Sequence, residues 1–150
     1  MASLKMFKTD ASLEEKGVPV MIAAGVTVNI RSATSRKVRE WEIARYKKHR
    51  ALYAGGGGLT VDQMDKDEID KCAEVLVTGW DGLTQDDDVT PIAFSIEAAR
   101  QVFTEAPAFR RAVVAASVEL ENFRKTEAEA AAKNSEMPSK QDGGTGASQS

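Results

Sequence analysis

The stretch Lys71 to Phe103, KCAEVLVTGWDGLTQDDDVTPIAFSIEAARQVF, constrains the chain most, because an apolar stripe, a forced reversal and a second stripe follow one another within it. Ile69, Cys72, Ala73, Leu76 and Trp80 recur at i, i+3, i+4, i+7 and i+11, the spacing of one helix face. The stripe runs into an indole, so Trp80 is the expected centre of the core. Beyond it, Asp81-Gly82 and the run Gln85 to Thr90 carry turn chemistry without apolar period, and Pro91 cannot continue a helix. Ser95 then stands where an N-cap belongs, with Glu97 in the first turn, and Ala99, Val102, Phe103 and Ala106 supply the next stripe. Two helices should meet across a loop anchored by Trp80 and Phe94.

Towards the N-terminus the period changes to two. Val18, Val20 and Ile22 alternate with other residues, and Val26, Val28 and Ile30 repeat the pattern after Ala23-Ala24-Gly25, which predicts a β-hairpin over about 18–31. An isolated hairpin is marginal in water, so one face should be covered by helices. Thr34 or Ser35 can cap a helix over about 34–53 that projects Val38, Trp41, Tyr46, Leu52 and Tyr53 to one side and Arg36, Arg39, Lys47 and Arg50 to another. Gly55 to Gly58 must end it, because consecutive glycines carry a large backbone-entropy cost in a regular element. Thr60 with Gln63 fits a capping box at the start of a helix over about 60–78. A helix over about 95–105 follows, and Pro107 is placed to open a last one over about 107–132, with Phe109, Val113, Ala116, Leu120 and Phe123 on one face. Residues 135–150 are rich in Ser, Gly and Gln and are expected to be disordered. The fold expected is α+β and mainly helical: an N-terminal β-hairpin packed on about four helices in a single domain, 1–134, with a disordered C-terminal tail. Its core anchors should be Trp80, Phe94, Phe103, Phe109, Leu120 and Phe123.

The chain has 150 residues, 42% of them hydrophobic, enough for one real core. No apolar run reaches the roughly 20 residues of a membrane span, and the N-terminus lacks a signal peptide's apolar segment; a soluble, unexported protein with no membrane partner is expected. The single Cys72 cannot form an internal disulfide, and one His with one Cys argues against a zinc or Cys–His catalytic site. No Lys-Ser or Lys-Thr follows Gly55 to Gly58, so they read as a hinge rather than a phosphate cradle. Asp86, Asp87 and Asp88 lack the spacing of a calcium loop and read as a solvated turn. His49 has no partner in a recognisable motif and reads as a surface histidine, and Cys72 as a small hydrophobe. No catalytic, cofactor-binding or metal residue is expected, and no cofactor.

A net charge of −3 hides an asymmetry: residues 31–50 are strongly basic and 62–88 acidic. Arg36, Arg39, Lys47 and Arg50 could follow phosphates while Trp41 or Tyr46 stacks on bases. The apolar residues are needed to dock the helix, however, so contact with a protein partner is the first reading of these cations and nucleic acid the lesser one.

Three stretches carry a resemblance to a known family: FKTDASLEEKGVPV, VLVTGWDGLTQDDDVTPIAFSIEAARQVF and PAFRRAVVAASVELENFR. In order and spacing they resemble the tail assembly chaperones of long-tailed bacteriophages of the non-contractile type. Phe7, Thr9, Asp10, Leu13, Glu14 and Gly17 are similar to that family's opening, and Gly79, Trp80, Asp81 and Gly82 to its GW-[DE]-G turn. The resemblance implies a non-catalytic factor that binds the tape measure protein, keeps it soluble, and helps recruit the major tail tube protein. It implies action in the host cytoplasm and absence from the mature virion, with self-association a further option. A structural tail or head-tail component of the virion is the alternative, and a nucleic-acid-binding regulator using the basic helix 34–53 the third reading.

Overall fold

Two chain segments with alternating apolar residues and one that reads as helical come together as a three-stranded antiparallel sheet in the computed structural model, which describes residues 1–124. Strand β1 (Val18–Ala23) pairs with β2 (Val26–Ile30). The alternation is as the sequence predicts: Val18, Val20 and Ile22 turn inward while Pro19 and Met21 are exposed. Pro19 lies on an edge strand, where its missing N–H costs no ladder bond.

Central strand β2 has a second partner that the sequence reading does not foresee. The stripe from Ile69 predicts helix as far as residue 78, but helix ends earlier. Val77–Asp81 form β3, with Val77 opposite Ile30 and Trp80 opposite Val28. The open edge of β2 needs hydrogen-bond partners for its buried backbone, and β-branched Val77 and Thr78 suit a strand; this long-range pairing outweighs the local helical spacing. Trp80 therefore reaches the core from a strand, half-buried, rather than from the end of a helix.

Among the described residues there are six α-helices: α1 (Ala11–Lys16), α2 (Arg36–Lys48), α3 (Arg50–Ala54), α4 (Val61–Lys71), α5 (Ile96–Glu105) and α6 (Pro107–Ser117). The chain is thus α+β and mainly helical, as expected. Starts are set by local chemistry. Ser35 caps α2, Thr60 and Gln63 form the reciprocal capping box of α4, Ser95 caps α5 and Pro107 opens α6. The Glu15 carboxylate also accepts from the backbone N–H groups of Arg36 and Lys37, satisfying free donors at the positive end of α2.

Two further helices differ from the sequence expectation. The helix over 34–53 is broken at His49 into α2 and α3. The helix over 107–132 stops at Ser117 and is followed by a 3-10 turn, Leu120–Phe123. Asn122 Nδ2 and Ala33 N–H take the carbonyls of Ala116 and Ser117 at 2.9 Å each, and the turn carries Phe123 into the interior, 2% exposed. Continuing the helix would forfeit both. The expected disordered segment, 135–150, lies outside the described residues.

The packing centre is the π-helical turn Cys72–Leu76 that joins α4 to β3. Four of its five residues are buried, and it touches α2, α4, α5, α6 and β3. Around it pack Val28, Ile30, Val38, Ala99, Phe103 and Val113.

Candidate functional site

Helix α2 has two unlike faces. Val38, Trp41, Arg45 and His49 follow one another at i, i+3, i+7 and i+11 and face the molecule: Val38 is fully buried and the Arg45 and His49 side chains are 14% and 16% exposed. Opposite them α4 and the π turn present Asp67, Asp70 and Glu74. Arg45 Nη1 donates to Asp67 at 2.7 Å and to Asp70 at 3.0 Å, and its guanidinium lies 4.5 Å over the Trp41 ring. His49 Nε2 is 3.0 Å from Asp67. Arg100 of α5 closes the group from the far side, on Asp70 at 3.2 Å and on Glu74, and Trp41 Nε1 donates to Glu74 at 3.0 Å.

Burial alone would raise these carboxyls. For Asp67 the hydrogen bonds and charges of His49 and Arg45 prevail, for Asp70 those of Arg45, Lys66 and Arg100, and for Glu74 those of Trp41 and Arg100. All three stay below the ordinary carboxylate range. This network, together with Val38 and Trp41 packed on the core, seats α2. His49 is consequently a paired, largely covered group rather than the surface histidine that the sequence suggests. Asp67, Asp70 and Glu74 recur at i, i+3 and i+7, a signal that was present in the sequence; pairing it with Arg45 and His49 needed the fold.

The outer face is different. Arg39, Ile43, Tyr46, Lys47 and Arg50 fall at i, i+4, i+7, i+8 and i+11 and all are exposed. Tyr46, Tyr53 and Leu52, expected to dock the helix, instead face solvent with Ile43 and Met64. Ile43, Tyr46, Tyr53 and Met64 keep 44–57% of their surface. Tyr46 and Tyr53 stack, centroids 5.2 Å apart, across the break at His49. Tyr46 also forms a ridge between two concavities, one of about 340 Å³ reaching Trp41, Tyr53 and Met64, the other of about 460 Å³ between Ile43, Arg39 and Arg50.

The four cations singled out in the sequence are all exposed but not equivalent. Arg36 pairs with Glu40 at 3.3 Å. Among the described residues Arg39, Lys47 and Arg50 have no carboxylate partner. The expected core anchors divide as well: Phe103 and Phe123 are buried, whereas Trp80, Phe94, Phe109 and Leu120 are half-buried around them. The acidic loop is exposed as expected and is ordered internally: Asp87 accepts from the Val89 and Thr90 N–H groups at 2.9 Å each. Burial pushes the Cys72 thiol up to about 12, which leaves it a packing group at neutral pH. Among the described residues no group of three or more His, Cys, Asp and Glu is placed to hold a metal ion, and no helix is long and apolar enough to cross a membrane.

Fold and surface together define a small scaffold that displays an apolar, cation-edged helix face on a framework of internal ion pairs. Residues 27–134 match the family described as YdaY prophage protein, and the chain belongs to that family; it is phage-derived. The match starts in β2 and leaves α1 and β1 outside it. No curated protein and no solved structure matches the chain.

Proposed function

We propose that this protein is a phage tail assembly chaperone: it binds the tape measure protein, keeps that long apolar helical protein soluble, and helps recruit the major tail tube protein. It works in the host cytoplasm and is absent from the mature virion. Membership of a prophage family supports the phage context, and the three stretches that resemble tail assembly chaperones support the role. The observation that carries the reading is the exposed face of Ile43, Tyr46, Tyr53 and Met64. Contiguous apolar surface left to water by a folded chain is a mark of protein binding, and a helix-lined groove with such residues suits an amphipathic helix.

Co-expression tests it. The tape measure protein of the same prophage should move to the soluble fraction when this chain is present, and the complex should survive a several-fold rise in salt, because apolar burial is not screened as exposed charge pairs are. A folded form of this chain that leaves the tape measure protein insoluble sinks the reading. Purified virions should lack the chain; stoichiometric amounts there would make it a structural component instead.

A further inference from the structure

We propose that the outer stripe of α2 and α3 is a docking site for one kind of partner segment, an amphipathic helix whose apolar face is flanked by carboxylates. The chaperone reading supplies the source of that helix, and the surface is argued from its own chemistry. Ile43 and Tyr46 offer apolar contact in the middle of the stripe, with Arg39 before them and Lys47 and Arg50 after. From Arg39 to Lys47 the rise is about 12 Å, so a partner helix lying along it would engage over two to three turns. The concavities on either side of Tyr46 can take its apolar side chains.

Charge fixes the flanks. Carboxylates on this side are already matched within the fold: Glu42 by Lys71, Asp67 by Arg45, Glu68 by Arg110. The cations are not, since among the described residues Arg39, Lys47 and Arg50 lack ionic partners. A partner with carboxylates at the edge of its apolar face would match them, and one with lysines there would be repelled. Nucleic acid is the poorer fit, because the three cations are interrupted by Ile43 and Tyr46 instead of forming a continuous phosphate track.

The test uses the full chain and two fluorescein-labelled helical peptides of about 20 residues, with the same leucine face and either glutamate or lysine flanks. Fluorescence anisotropy at low salt should show the glutamate peptide binding about ten-fold or more tightly than the lysine peptide. Lys47→Glu with Arg50→Glu should reverse that preference, and Ile43→Ser with Tyr46→Ser should weaken the glutamate peptide by a similar factor. The peptide comparison needs no variant, so a misfolded mutant cannot hide the answer. Equal affinity for both peptides, binding of neither, or tighter binding of a DNA duplex than of the glutamate peptide would overturn the inference. A chain that solubilises the tape measure protein yet shows no peptide preference keeps the chaperone reading and loses this surface; the opposite pair of results does the reverse.

Discussion

At the residue scale, Trp80 joins the core to the acidic loop. Its indole lies edge-on to Phe94, centroids 4.9 Å apart, and to Phe103 at 6.4 Å, while Nε1 donates to the Ile92 carbonyl at 2.7 Å. Trp80→Ala removes the ring contacts and the hydrogen bond together and should cost about 3 kcal/mol in urea denaturation. Trp80→Phe keeps a ring and loses the bond, so about 1 kcal/mol is expected. A denaturation curve for the alanine variant that overlays the parent would mean that the indole does not hold the loop. The sequence marks Trp80 as important through its spacing, yet that spacing puts it in a turn just past a helix end, where the structure has a strand.

At the element scale, the β2–β3 pairing that displaced the expected helix depends on how the chain leaves it. Gly82 has φ +86°, and a Cβ added there would lie 1.8 Å from the Gly25 carbonyl oxygen. Backbone cannot retreat as a flexible side chain can. Gly82→Ala should therefore cost more than about 2 kcal/mol, from left-handed strain plus the displaced hairpin turn. Hydrogen exchange should locate the loss in the amides that pair β2 with β3, and unchanged protection there would contradict the close approach. Helix starts were readable from short caps such as Thr60 with Gln63. Some helix ends were readable too, Ala54 before Gly55 and Glu105 before Pro107; others were not, because the helical run through the π turn stops at Leu76, α2 at His49 and α6 at Ser117 for reasons supplied from elsewhere: β2, Asp67 beside the α2–α3 break, and Ala33 with Asn122.

At the scale of the whole molecule, the ion network holding α2 against α4, the π turn and α5 ties stability to pH. Asp67, Asp70 and Glu74 have folded-state values depressed below the ordinary ones. Their contribution is therefore full above the unfolded carboxylate range, near 4, and is lost as pH falls through the lower folded values. Urea midpoints should be nearly level from neutral pH to about 5 and drop below about 4, with a shallower drop in Asp70→Asn. A parent protein equally stable on both sides of that window would show that the network does not seat α2. The sequence by itself determined the hairpin, the helical stripes and their caps, and the mainly helical α+β class, since period and capping are properties of neighbours along the chain. Tertiary structure decided that residues 77–81 pair as a strand, that Arg45 and His49 turn inward to carboxylates on α4 and the π turn, and that Ile43 and Tyr46 are left facing out. Those outcomes depend on which distant backbone edges and charges need partners, and a local spacing cannot encode that.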